Sequence, residues 1–66
     1  MKTLSQVACE LRDKNPEAIV ILKTEKYGMF WVGKAKFISS AYSFEAGKEE
    51  VKAIENRSNG NIALTI

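Results

Sequence analysis

The feature that most constrains the fold is the apolar run AIVIL at residues 18–22, which follows shortly after a proline. The run is too short for a buried helix and contains three consecutive β-branched residues. Such a run is typical of a central strand that is covered on both faces. It is also far shorter than the ~20 apolar residues that a membrane-spanning helix needs. We therefore expect an internal strand here and no membrane partner.

The segment before this strand predicts a helix over residues 3–14. Thr3 and Gln6 have the spacing of a capping box, in which the hydroxyl and the amide each satisfy a free backbone N–H. Asn15, which tolerates a left-handed cap, and Pro16, which cannot continue a helix, are expected to end it. The apolar residues recur at i, i+3, i+4 and i+7, on one helical face: Leu4, Val7, Ala8 and Leu11.

A second strand is predicted after the turn sequence TEKYG, in which Gly28 is free to take a positive φ. The segment YGMFWV has an extended pattern and is expected to pair with residues 18–22 as a hairpin. Simple alternation places Tyr27, Met29 and Trp31 on one face. The other face, with Phe30 and Val32, is the one we expect in the core.

The C-terminal half is open to more than one interpretation. Residues 35–44 place Phe37, Ile38, Ala41 and Phe44 at helical spacing, although their aromatic and β-branched residues also suit a strand. Residues 45–57 contain strong helix formers and predict helix, which Gly47 divides or begins. The alternative is a hairpin that pairs residues 51–56 with residues 61–65 across Ser58-Asn59-Gly60. Residues 61–66 are expected to form a terminal strand.

These elements together predict an α+β fold formed by one domain over residues 1–66. The expected order is an N-terminal helix, a β-hairpin, one or more helical segments and a C-terminal strand, with the helices packed on a three-stranded sheet. A chain of 66 residues buries only about 60% of the surface that it exposes when unfolded. A partner protein or self-association into a homo-oligomer would add stability.

The composition offers little catalytic chemistry. The chain has no histidine, which removes the commonest general base and metal ligand. Cys9 falls beside the apolar stripe of the first helix, and Ser39 and Ser40 have no histidine to activate them. No glycine-rich phosphate loop is present. We expect no enzymatic activity, no catalytic residues, no metal and no cofactor, and the single cysteine favours the cytoplasm.

The hairpin is the candidate binding surface. Residues 23–36 carry four lysines against one glutamate, a local charge of +3 within a chain whose net charge is only +2. The aromatic residues could fill a pocket on a partner or stack on a base, and the lysines could meet phosphates. The alternative is that the aromatics are core residues and the lysines keep the sheet edge soluble. The candidate partner-binding residues are Tyr27, Met29, Trp31, Lys23, Lys26, Lys34 and Lys36.

Residues 11–44 resemble the start of the N-terminal, mismatch-recognition domain of MutS-type DNA repair proteins. The segment KNPEA resembles the end of the family's first helix, IVIL its apolar strand, Glu25-Lys26 its turn and AKFIS the start of its next helix. The resemblance implies that residues 35–44 are helical. The family's base-stacking Phe falls on Tyr27, but its DNA-contacting Glu falls on Met29, which cannot accept a hydrogen bond as a carboxylate does. The resemblance therefore implies the fold of this half rather than mismatch recognition.

The leading hypothesis is a small non-enzymatic binding module that acts through the hairpin surface on a protein partner. Related small domains are found in phages and conjugative elements, so the resemblance implies a phage or mobile-element protein that modulates a host protein. The alternative is a DNA-binding accessory domain in which Tyr27 stacks on a base and the hairpin lysines contact phosphates.

Overall fold

The computed structural model describes residues 2–66 and confirms a small α+β fold. The described chain folds into a sheet with one long helix and two short helices. The elements in chain order are α1 (Leu4–Lys14), β1 (Ile19–Thr24), β2 (Gly28–Lys34), a 3₁₀ helix (Ala35–Ser40), α2 (Phe44–Gly47), β3 (Ala53–Asn56) and β4 (Ile62–Thr65).

Helix α1 forms where the sequence predicts it. The Thr3 side chain accepts from the Gln6 backbone N–H and the Gln6 side chain accepts from the Thr3 backbone N–H, so both halves of the capping box are present. The expected left-handed cap at Asn15 is wrong, because its φ is −139°. The Asn15 N–H instead donates to the Leu11 carbonyl, which closes the last turn without a positive φ.

The sheet has four strands rather than three, in the order β2-β1-β4-β3. The central strands β1 and β4 are parallel, and each forms an antiparallel pair with an edge strand. The predicted helix over residues 45–57 is therefore wrong beyond α2, and the alternative hairpin is correct for residues 53–56. Pairing with β4 overrides the helix propensity of this segment. Just before β3, the Val51 N–H donates to the Lys2 carbonyl, which holds the chain beside the start of α1.

Residues 35–40 are helical, as one interpretation of the sequence predicts, although the helix is of the 3₁₀ type. Only part of the predicted apolar face is used. Ile38 is buried and Ala41 packs against the core, whereas Phe37 is 57% exposed and Phe44 is 78% exposed. The tighter 3₁₀ winding repeats every three residues, so a face predicted with the α-helical period does not stay aligned.

A β-bulge in the hairpin changes which residues share a face. The pairing runs Leu22 with Trp31 and then Lys23 with Met29, which leaves Phe30 without a partner. The prediction that Trp31 shares a face with Tyr27 and Met29 is wrong, since the bulge moves Trp31 to the side of buried Leu22. The prediction that Phe30 and Val32 are core is also wrong: Phe30 is 46% exposed and Val32 is 50% exposed. Gly28 has a φ of 78°, as predicted for the turn.

All three helices lie on one side of the sheet, and the core lies between them and that side. Trp31 packs against this core. The strand run predicted to be covered on both faces is covered on one: Val20 and Leu22 are buried, whereas Ile19 and Ile21 are half-buried on the other side. The buried core consists of Leu4, Val7, Ala8, Val20, Leu22, Ala35, Ile38, Val51, Ile62 and Leu64.

Candidate functional site: the open face of the sheet

The side of the sheet away from the helices, here called the open face, is defined by the strand register. Ile21 lies opposite Val32 on β2 and Ala63 on β4, and Ala63 lies opposite Glu55 on β3. Because cross-strand partners point to the same side, these residues form one row across all four strands. The register places on the open face Ile19, Ile21, Lys23, Met29, Val32, Lys34, Ala53, Glu55, Ala63 and Thr65. The bulge residue Phe30 has no cross-strand partner and lies exposed beside Met29 in the chain.

The half of the open face formed by β1 and β2 is apolar. Met29 is 62% exposed, and Phe30 and Val32 are each about half exposed beside the half-buried Ile19 and Ile21. A sheet face that is exposed to solvent usually carries polar side chains, which alternate along each strand with the apolar residues of the buried face. A contiguous exposed apolar patch is instead a common property of an interaction surface. The open face is therefore the strongest candidate site among the described residues.

The β1–β2 turn extends this surface. The Tyr27 side chain is 79% exposed, and the Lys26 ammonium lies 5.4 Å from the centre of its ring. The Thr24 hydroxyl accepts a hydrogen bond from the Tyr27 backbone N–H at 2.9 Å, which fixes the turn. The turn thus presents an aromatic ring and an ammonium group next to the apolar patch.

The four candidate lysines divide into two kinds. Lys34 and Lys36 both contact the Glu17 carboxylate, at 2.9 Å and 2.7 Å. The hydrogen bonds from Lys36 and Lys34 lower the pKa of Glu17 from 4.5 to about 2. Lys23 and Lys26 have no carboxylate within 4.0 Å in residues 2–66. These two ammonium groups are the ones free to meet an incoming anion.

The acidic side chain on the open face is also neutralised within the chain. Arg57 Nε donates to Glu55 Oε1 at 2.8 Å. This hydrogen bond is the largest cause of the lowered pKa of Glu55, and the charge of Lys23 adds a smaller effect. The effect of Lys23 on Glu55 agrees with the register, which places both side chains on the open face. Among the charged groups without an ion pair around the patch, Lys23 and Lys26 outnumber Glu25, so the net unpaired charge is positive.

The structure brings together only some of the residues predicted as a site. Tyr27, Met29, Lys23 and Lys26 lie on or beside the exposed surface, whereas Trp31 packs on the opposite side against the core. Sequence reasoning missed the contribution of Phe30 and Val32, and of Ile19 and Ile21 on the neighbouring strand. The run at residues 18–22 could have indicated this patch. A strand that is apolar on both faces, in a sheet with helices on one side, leaves the apolar side chains of its other face uncovered.

Other surface features offer less chemistry. Cys9 is exposed, and Arg12 Nη2 lies 3.4 Å from its sulfur. A groove of about 240 Å³ runs between α1 and the β3 edge, with Leu11 and Ile54 in its lining. Within residues 2–66 there is no group of three or more side chains that could hold a metal ion. No helix in that range is long and apolar enough to cross a membrane.

Comparison of the chain with protein-family models, with curated proteins and with solved structures finds no match. Any function of the chain must therefore be inferred from its own residues, and above all from the geometry of the open face.

Proposed function

We propose that this chain is a non-enzymatic binding module that holds a partner protein against the open face and the adjoining hairpin turn. The observation that carries the proposal is the exposed patch formed by Met29 and Val32 beside half-buried Ile19 and Ile21, to which the exposed bulge residue Phe30 adds apolar area. Burying apolar area is the main driving force of protein association, at roughly 25 cal/mol per Å². The open face is also rigidly built, because its side chains stand on paired strands.

The charges favour an acidic partner. Lys23 and Lys26 are free to pair with carboxylates, whereas Glu55 and Glu17 are already paired within the chain. A second copy of the chain offers near its patch one carboxylate without an ion pair, Glu25, against two such lysines, so it complements this surface less well than an acidic partner does. The partner surface that fits best is therefore apolar at its centre and carries aspartate or glutamate at its rim.

The test is an affinity capture from cell extract with matched variants, with and without nuclease treatment. Val32→Glu and Met29→Glu place a carboxylate in the patch at exposed positions, so the fold is expected to survive. Phe44→Glu is the control, because Phe44 is 78% exposed but lies on α2, on the helix side of the sheet. Thermal unfolding of each variant shows whether folding is retained.

A protein that wild type and Phe44→Glu capture equally, and that both patch variants lose while remaining folded, supports the proposal. If the folded patch variants capture the same proteins as wild type, the open face is not the binding site. Sedimentation of wild type over a range of concentrations adds the third outcome, since self-association that the patch variants abolish would identify a homo-oligomer instead.

DNA binding is the second candidate, favoured by the exposed ring of Tyr27 with Lys26 beside it. Base stacking on an aromatic side chain contributes about 1–3 kcal/mol per base. Two of the four hairpin lysines, Lys34 and Lys36, form ion pairs with Glu17, which reduces the positive charge available to contact phosphates. Affinity for single-stranded DNA that falls steeply with salt and is lost in Tyr27→Ala but kept in Tyr27→Phe would establish this role, and undetectable binding at low salt would end it.

The single cysteine supports a cytoplasmic location. The similarity of residues 11–44 to the MutS-type N-terminal domain supports a phage or mobile-element protein that modulates a host protein. The absence of histidine from the sequence supports a role without catalysis or cofactor.

A further inference from the structure

We infer that the partner covers the open face with an amphipathic α-helix that carries acidic residues at both ends of its apolar stripe. This inference rests on the proposed function and specifies the partner of the same surface. Four features of the open face lead to it: the type of strand pair at its centre, the small side chains on β4, the length of the apolar strip along β1 from Ile19 to Lys23, and the positions of its lysines.

The central strand pair is of the kind that proteins cover with helices on both faces. β1 and β4 are parallel, with Ile21 opposite Ala63. Parallel strands are typically buried between two helical layers, and their sequences are then continuously apolar. The sequence of β1 has this character at residues 18–22. The chain supplies one helical layer, and the other layer is missing from this side of the described residues.

The height of the side chains on the open face also suits a helix. On β4 the open face presents Ala63 and Thr65, which are small, beside the larger Ile19 and Ile21 on β1. Ala63 is only 1% exposed, so the floor at this point is already closed. The short side chains along β4, next to the longer ones along β1, form a shallow groove. A helix axis can approach the sheet closely along this groove, parallel to the strands.

The apolar strip has the length of a short helix. From Ile19 to Lys23 the strand advances about 13 Å, at ~3.3 Å per residue. A helix covers that distance in about nine residues, or between two and three turns. The strip is bounded by lysines at both ends, since Lys23 lies at one end and Lys34, the partner of Ile19, lies at the other.

These positions define the expected pattern of the partner helix. Its apolar residues recur at i, i+3, i+4 and i+7 to form the stripe that meets Ile21, Val32 and Met29. Its carboxylates stand about nine residues apart, one near Lys23 and Lys26 and the other near Lys34. Lys34 is partly neutralised by Glu17, so the carboxylate near Lys23 is expected to contribute more to affinity.

The experiment uses the full chain labelled with ¹⁵N and designed peptides of about 18 residues, a length at which an isolated helix begins to form. The first peptide has a leucine stripe with glutamates at both ends of it. The second replaces these glutamates by lysines. The third has the composition of the first with the leucines alternating, so that an extended rather than a helical conformation presents one apolar face.

The helical, glutamate-ended peptide is expected to shift the amide signals of Ile21, Val32 and Ala63 and to bind at least about fivefold tighter than the lysine-ended peptide. Lys23→Glu is expected to reduce that preference, since only Lys26 and Lys34 then remain to attract the glutamates, and Val32→Glu is expected to abolish binding of both peptides. Lys48→Glu, on the helix side, is the matched charge control and is expected to leave the preference unchanged.

Tighter binding of the alternating peptide, equal binding of the glutamate- and lysine-ended peptides, or shifts confined to the helix side would overturn the inference. Those results would leave the proposed function standing if Val32→Glu still lost its captured protein in extract. Conversely, if the patch variants lose no captured protein, the proposed function fails whatever the peptides do.

Discussion

The indole ring of Trp31 lies over Gly33, so that a β-carbon at residue 33 would come within 2.6 Å of ring atom Cζ2 and 2.8 Å of Cη2. The two residues are two positions apart on β2 and share the side of the sheet that faces the helices. The ring can pack against the core only because residue 33 has no side chain. We therefore expect Gly33→Ala to destabilise the fold by about 1–3 kcal/mol, as overpacking does. Urea unfolding gives the value.

The matched control for this substitution is the double variant Gly33→Ala, Trp31→Val, in which the ring is gone. The cost of Gly33→Ala measured in the Trp31→Val background should be much smaller, because the two residues are in contact and their effects are coupled. Equal costs in both backgrounds would show that the ring does not lie over residue 33.

Trp31 and Tyr27 are expected to respond differently to truncation. Trp31 packs against the core, so Trp31→Ala should cost about 2–4 kcal/mol and lower the melting temperature markedly. Tyr27 is 79% exposed, so Tyr27→Ala should change stability by less than about 0.5 kcal/mol. Thermal unfolding followed by far-UV circular dichroism measures both. A similar loss in the two variants would contradict the side assigned to Trp31.

The elements that could be predicted from the sequence are those whose determinants lie close together in the chain. Helix α1 was predictable because its signals are local: Thr3 and Gln6 lie within one turn and cap the same helix end. Strand β1 was predictable from its own apolar run. The turn at Gly28 was predictable because only glycine adopts its φ of 78° without strain.

The features that sequence reasoning missed depend on partners distant in the chain. The bulge at Phe30 arises from the pairing of β2 with β1, and it places Trp31 and Met29 on opposite sides of the sheet, whereas simple alternation places them on one side. Strand β3 contains two helix-favouring residues, Ala53 and Glu55, and its conformation results from pairing with β4. The part of the candidate site formed by Tyr27, Met29, Lys23 and Lys26 was therefore predictable, whereas the side of Val32 required the register and the exposure of Phe30 required the bulge.

Glu17 is expected to make stability depend on pH in the acidic range. Its pKa in the folded chain is about 2, because Lys36 and Lys34 donate hydrogen bonds to its carboxylate, against an ordinary value of 4.5. A folded pKa below the unfolded one means that the contribution is complete above pH 4.5 and is lost as the pH falls toward 2. Because the group is exposed, the effect is expected to be small and to shrink with added salt.

The measurement compares wild type with Glu17→Gln, which keeps the shape of the side chain and removes its charge. Wild type should melt higher than Glu17→Gln at pH 6 and at the same temperature near pH 2, and carbon-detected NMR should follow the carboxyl itself. A difference in melting temperature that persists unchanged at pH 2 would show that the Lys34 and Lys36 contacts are not its source.

Gly60 is expected to control formation of the β3–β4 hairpin. Its φ is 86°, a β-carbon there would meet nothing within 4 Å, and its N–H donates to the Arg57 carbonyl at 3.1 Å. The cost of Gly60→Ala is therefore one of backbone conformation alone, about 1–2 kcal/mol. A chain of 66 residues is accessible to chemical synthesis, so D-alanine can be placed at the same position. D-alanine prefers a positive φ, and it should restore or slightly exceed wild-type stability by restricting the unfolded chain. If L- and D-alanine destabilise equally, steric contact rather than φ limits this position, and the turn differs from the one described.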